Sequence, residues 1–178
     1  VNDSTTICDG AFWMFRPRNQ QEYDNLRQAK PTGERGGYIR TTSDIWIAQT
    51  GKIGTLLCDV FEETKDRQLL DMATKAAEFL LRLQRDDGNL LAGRIHVGGT
   101  PVYPANLATN SCAVMLWARL YEITQNKQFR DAAISCADYT MRHWLNGKQW
   151  KMYGGEWDVP GNISSSSASY ASWGFAIL

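Results

Sequence analysis

The stretch Phe61–Arg85, "FEETKDRQLLDMATKAAEFLLRLQR", aligns without a gap on Tyr121–Leu145, "YEITQNKQFRDAAISCADYTMRHWL", at an offset of 60 residues. Glu62, Thr64, Gln68, Asp71, Ala73, Ala77 and Arg82 recur as Glu122, Thr124, Gln128, Asp131, Ala133, Ala137 and Arg142. A repeat of this length is one supersecondary unit, which buries its apolar face only by stacking on its neighbours. Asp66 and Asn126 hold the same place, one residue before each helical pattern, where a short acceptor caps the free N–H groups of the first turn. The connections "TKDR" and "TQNK" are short enough to force antiparallel helix pairs.

Working outward from the repeat, the periodicity predicts helices over Ile45–Thr64, Arg67–Arg85, Leu107–Thr124 and Lys127–Leu145, with a fifth starting near Ser167. On the fourth, Phe129, Ala132, Ala133, Cys136 and Thr140 form a single apolar stripe, the mark of a helix with one wet side. The third, with "CAVMLWARLY", is apolar nearly all the way round and must be covered on more than one side. Inner and outer helices alternating at this spacing fit a ring of hairpins better than a four-helix bundle. Residues 1–40 show helical spacing only over Gln20–Ala29 and read as an extended segment. The chain therefore divides into an extended N-terminal segment, 1–40, and an all-α helical-hairpin domain, 41–178, of the α/α-toroid kind.

Composition excludes several classes of function. Lysine plus arginine and aspartate plus glutamate number 19 each, so no excess positive charge faces a phosphate backbone or an anionic bilayer. Nucleic acid is not an expected partner. No apolar run approaches the roughly 20 residues needed to span a membrane. Cys8, Cys58, Cys112 and Cys136 include no Cys-x-x-Cys pair and no histidine at ligand spacing, so no metal is expected, and three of them read as small core residues. The chain begins at Val1 without an initiator methionine, which points to a processed product or a fragment. A periplasmic or secreted location is favoured over a cytoplasmic one, though no residue fixes the compartment.

The connections between hairpins carry the chemistry. After each outer helix comes a turn signal, "DGNLL" and "NGKQW", where Gly88 and Gly147 are expected in the left-handed conformation that ends a helix. Three loops then share one frame, "GGYIRTTSDI" from Gly36, "GGTPVYPANL" from Gly98 and "GGEWDVPGNI" from Gly154. Their offsets are 62 and 56 against 60 for the helices, so residues must be inserted or deleted where loop meets helix. The frame residues Asp44, Asn106 and Asn162 are natural helix caps. The variable positions bring Tyr38 and Arg40, Tyr103, and Glu156, Trp157 and Asp158. In extended chain Glu156 and Asp158 stand about 6–7 Å apart on one side, within the carboxyl separations used in glycoside hydrolysis. Flat amphipathic rings suit sugar faces, and Arg40 suits a uronate carboxylate. His96 is a loop histidine without a predictable partner, and His143 falls on the packing stripe at the place of Leu83. The serine run Ser164–Ser167 lacks the Gly-x-Ser-x-Gly elbow of a hydrolase nucleophile.

The segment "AAEFLLRLQRDDGNLL", the alternating inner and outer helices and the tryptophan-bearing Gly-Gly loops resemble the six-hairpin glycosidase superfamily over about residues 36–178. The resemblance implies an (α/α)6 toroid acting on oligo- or polysaccharides, first as a glycoside hydrolase without cofactor. Glu156 or Asp158 is then the general acid and Asp44, or the other third-loop carboxylate, the base. Trp157, Tyr38 and Tyr103 form the sugar platform, with Arg40, Asn106, Asn162 and His96 as polar contacts. Related toroids imply a polysaccharide lyase or sugar epimerase as the alternative, and a non-catalytic glycan- or protein-binding module is the rival from another class. The toroid of terpenoid cyclases is disfavoured because no aspartate-rich pattern is present. The chain holds two hairpins and the start of a third, so closing a toroid requires the remainder of a longer polypeptide or another chain.

Overall fold

The computed structural model describes residues 10–12, 21, 44–96, 101–146 and 149–150. In chain order these form β1 (Asp44–Trp46), α1 (Ile47–Thr64), α2 (Arg67–Leu83), β2 (Arg94–His96), β3 (Pro101–Tyr103), α3 (Leu107–Thr124), α4 (Lys127–Trp144), β4 (Leu145–Asn146) and β5 (Gln149–Trp150). The predicted fifth helix, Gly147, Cys8 and most of the segment 1–40 lie outside the described residues.

The four helices stand where the repeat puts them. Asp66 accepts a hydrogen bond from Gln68 N at 2.9 Å and Asn126 from Gln128 N at 3.0 Å, so both outer helices are capped at the same place in the unit. Lys65 and Gln125 close α1 and α3 in the left-handed conformation, at φ 59° and 56°. Each cap N–H bonds back to a carbonyl of the last turn, Phe61 O or Tyr121 O. The two short turns are thus one conformation used twice, which makes α1–α2 and α3–α4 equivalent hairpins.

Between hairpins, α1 packs along α3, while α2 and α4 lie outside and make no comparable contact with each other. This is the inner–outer arrangement, and it explains the sequence of α3. From Thr109 to Ala118 every residue of that helix is buried, because α1 covers one side and α4 another. Trp117 is fully buried and its indole N–H donates to Ala77 O at 3.1 Å, tying the inner helix to α2. Gly51 and Gly54 set the inner-helix spacing: a Cβ at Gly51 would lie 2.5 Å from Cys112 O, and one at Gly54 would lie 2.6 Å from Leu116 Cδ2. Cys58, Cys112 and Cys136 are free and buried, as core residues. Burial pushes the thiols of Cys58 and Cys112 up to about 12.

Several expectations are corrected, among them the end of the fourth helix, which stops at Trp144 rather than Leu145. The helix predicted from Ile45 starts at Ile47, since Asp44–Trp46 pair as a strand instead. The second helix stops at Leu83 rather than Arg85, and Gly88, at φ +91°, sits in the following turn, closed by pairing of Gln84 with Leu90, rather than at the helix end. On α4, His143 is exposed rather than on the packing stripe and stacks on Tyr139 with ring centroids 4.4 Å apart. Trp144, 2% exposed, takes the core place, because α4 runs one residue further in its unit than α2 does.

Candidate active site at the strand-bearing end

A three-stranded antiparallel sheet, in the order β1-β2-β3, joins the loops that precede the two inner helices. β1 runs into α1 without a spacer, and β3 ends three residues before Asn106, the N-cap of α3. Both inner-helix N-termini are therefore gathered at one end of the molecule, opposite the short turns. The N–H of Ile47 donates to Gly93 O at 3.2 Å, pinning the start of α1 to the strand from the other hairpin.

The register is informative. Ile45 pairs with Ile95, and both are buried, at 1% and 0% exposure, so residues of that parity face the core. Trp46 pairs with Arg94, whose guanidinium lies over the indole at 5.1 Å from its centroid. Asp44 pairs with His96 at register positions of the same parity as Trp46 and Arg94. Directly opposed residues of an antiparallel pair have Cα atoms about 4.5–5.5 Å apart. Tyr103 stands opposite Arg94, and the shift between Arg94 and Ile95 is a bulge, a device that re-aims a strand. The sheet thus sets the backbone of Asp44 opposite that of His96, and that of Tyr103 opposite Arg94, on the far side of β2. His96 gains the neighbour that sequence reasoning could not supply, since its partner lies 52 residues away in the chain.

The two-residue mismatch between loop and helix offsets is also located here. Asn106 immediately precedes α3 and acts as its cap, its Oδ1 accepting from both Thr109 N and Thr109 Oγ1 at 3.0 Å. Asp44 is separated from α1 by two additional residues, Ile45 and Trp46, which together with Asp44 make β1. The capping role expected for Asp44 is therefore corrected: Trp46 holds the N-cap position, without a side-chain cap bond. Tyr38, Arg40, Glu156, Trp157, Asp158 and Asn162 lie outside the described residues.

Away from this end, a groove of about 540 Å³ runs along α4, lined by residues that include Asp86, Asp131, Tyr139 and His143. Two of its acids are held by neighbouring arginines, Asp131 by Arg130 at 2.8 Å and Asp138 by Arg142 at 3.1 Å. Burial and the nearby Asp87 raise the phenol of Tyr139. Among the described residues no cluster of three or more metal-ligating side chains occurs, and no helix is long and apolar enough to cross a membrane.

Comparison with solved structures places the architecture. The cellobiose 2-epimerase of Spirochaeta thermophila superposes with a TM-score of 0.63 at 15% identity, over 76% of this chain and 38% of that one. The cellobiose 2-epimerase of Bacillus thermoamylovorans gives 0.58 at 17% identity, over 71% and 34%. A GH76 α-mannanase of Bacteroides thetaiotaomicron gives 0.52 at 18% identity, over 75% and 44%. The two described hairpins share the α/α-toroid fold of these structures. The matched part of the chain spans only 34–44% of those structures. No protein-family model and no curated protein matches the sequence.

Proposed function

We propose that this chain is part of a carbohydrate-active enzyme whose sugar site lies at the strand-bearing end, with Asp44 and His96 as its acid–base pair. The observation that carries the reading is their direct opposition across β1 and β2. A carboxylate beside an imidazole fixes the tautomer and orientation of the ring and stabilises its protonated form. Such a pair suits removal of the proton on the carbon next to the carbonyl of an open-chain reducing sugar. The electron pair moves into an enediolate, His96 keeps the abstracted proton for release to solvent, and a proton delivered from water to the opposite face of the same carbon inverts it. That is epimerisation, the reaction named for two of the structural neighbours. Tyr103 and the Trp46–Arg94 stack would border the sugar, and Asn106 would offer its amide nitrogen.

Glycoside hydrolysis is the second reading. It is favoured by the release of Asp44 from helix capping through the insertion of Ile45 and Trp46, and the α-mannanase among the neighbours is a hydrolase by name. Asp44 then acts as base on a water, and Glu156 or Asp158 protonates the leaving oxygen.

Incubation of the protein with β-1,4-linked glucose and mannose disaccharides in D2O separates the two. Deuterium at C2 of the reducing residue with no new reducing ends supports epimerisation; new reducing ends without that label support hydrolysis. Asp44→Asn is expected to abolish either activity, and His96→Gln to abolish isotope incorporation. Saccharide binding without turnover, unchanged in both variants, would replace the enzymatic reading with a binding module.

A further inference from the structure

Given the acid–base pair proposed above, we propose that Asn110 is its positioning residue: the buried amide holds the turn that feeds β2 and so keeps His96 opposite Asp44. Asn110 lies one turn inside α3 and is fully buried. An amide in such a place is costly unless its hydrogen bonds are made, and an apolar side chain would fill it without that cost. Asn110 uses both of its N–H groups. One donates to Asn89 Oδ1 at 3.1 Å and the other to Thr140 Oγ1 at 3.0 Å, whose own O–H donates to Cys136 O at 2.8 Å. The first bond reaches the turn after α2 and the second reaches α4, so one side chain ties three elements together. Its Oδ1 is buried without a hydrogen-bond partner, so the amide is oriented by what its nitrogen holds.

That turn decides where β2 lies. Only Leu90, Leu91, Ala92 and Gly93 separate Asn89 from Arg94. Leu90 and Ala92 are buried, and Gly93 O accepts the N–H of Ile47 at 3.2 Å. A Cβ on Gly93 would lie 2.5 Å from Pro104 O, so the run has little room to shift. A displacement at Asn89 is therefore carried along a short, tightly packed segment to Arg94 and His96. The other copy of the unit uses the same place on its inner helix. Thr50, sixty residues before Asn110 and also fully buried, accepts from Phe12 N at 3.2 Å. Phe12 follows Gly10 as Leu90 follows Gly88, and both glycines are left-handed, at φ +87° and +91°. A Cβ on Gly10 would strike the carbonyl oxygen of Lys75, and one on Gly88 that of Ser135, again sixty residues apart. The same turn is thus seated twice on an outer helix and bonded twice from one inner-helix position. Recurrence with a hydroxyl in one copy and an amide in the other marks a contact that the unit needs.

Asn110→Leu, Asn89→Ala and Thr140→Val, made in the full natural polypeptide, test the proposal. The first two break the bond to the turn, whereas Thr140→Val breaks only the bond to α4 and serves as the stability control. Backbone amide exchange over residues 91–96 is followed by mass spectrometry, beside deuterium incorporation at C2 of the disaccharide. Asn110→Leu and Asn89→Ala are expected to speed that amide exchange by roughly tenfold or more. They are expected to lower kcat by roughly ten- to a hundredfold with KM nearly unchanged. The double variant should fall no further than either single one, because both remove the same contact. Thr140→Val is expected to lower the urea midpoint and leave both other readouts at the parent level. Unchanged amide exchange over 91–96 would overturn the proposal, as would faster exchange without a fall in kcat. A kcat loss in Thr140→Val equal to that of Asn110→Leu would overturn it in favour of a merely structural role. A parent that labels no disaccharide overturns the epimerase reading instead, and the amide exchange then decides alone whether Asn110 holds β2.

Discussion

Replacing Gly51 by alanine tests whether contact between the inner helices, rather than helix propensity, governs this fold. On an isolated helix the change would stabilise by about 0.5–1 kcal/mol, because glycine loses more backbone freedom on folding. Here the new Cβ would lie 2.5 Å from Cys112 O, 2.7 Å from its carbonyl carbon and 2.9 Å from its Cβ. Two of those atoms are backbone of α3 and cannot rotate aside, so the helices must separate. Overpacking of this kind costs about 1–3 kcal/mol. The upper part of that range applies, leaving a net loss of about 1–2 kcal/mol, or about 2–8 °C in Tm for a chain of this size. Gly54→Ala is the internal control. Its Cβ meets Leu116 Cδ2 at 2.6 Å and Cδ1 at 2.9 Å, the far end of a side chain that can change rotamer at about 0.5–1.5 kcal/mol. That cost roughly cancels the propensity gain. Urea unfolding followed by far-ultraviolet circular dichroism, with unchanged m-values, measures both variants. A Gly51→Ala protein as stable as the parent, or less destabilised than Gly54→Ala, would refute the reasoning.

Two further outcomes follow from side chains of the inner helices. Arg119 is bound by Asp59, Glu62 and Glu122 with its side chain 20% exposed and the carboxylates 45–47% exposed. Burial opposes its charge, but the three carboxylate hydrogen bonds outweigh that and raise its pKa. At about 0.2–1 kcal/mol per screened pair, Arg119→Ala is expected to lose about 1–2 kcal/mol in dilute buffer and less in 1 M salt, as read from paired urea titrations. Alkaline stability depends on the thiols: Cys58 and Cys112 rise from 9.0 to about 12 through burial, so the folded chain keeps protons that the unfolded chain releases. Stability is then intact below pH 9 and falls as pH rises through the window up to 12, by up to about 1.4 kcal/mol per pH unit for each thiol. A Cys58→Ala/Cys112→Ala protein should show a shallower decline, and an equal slope would exclude the thiols as its cause.

What the sequence reveals here is mostly local. The caps at Asp66 and Asn126, the two antiparallel turns and the all-round burial of α3 are written in neighbouring residues, and the structure bears them out. β1 escapes such a reading because "DIW" continues the apolar spacing of α1, and its strand state comes from pairing with residues 94–96 of the next connection. For the same reason Asp44 and His96 are each legible as polar loop residues, but not as a pair. His143 misleads for a different cause: the counterpart rule assumes equal helix lengths, and one additional residue hands the core place to Trp144.

The seamless passage from Trp46 to Ile47 also governs how this protein can change in length. One amino acid inserted at that junction would turn α1 by about 100° against the strand, or slip the strand by one and exchange its two sides. Either event would carry Asp44 away from His96 or Gly51 away from Cys112. Insertions and deletions should therefore accumulate in other connections, while the spacing from Asp44 to Gly51 stays fixed among descendants of this chain.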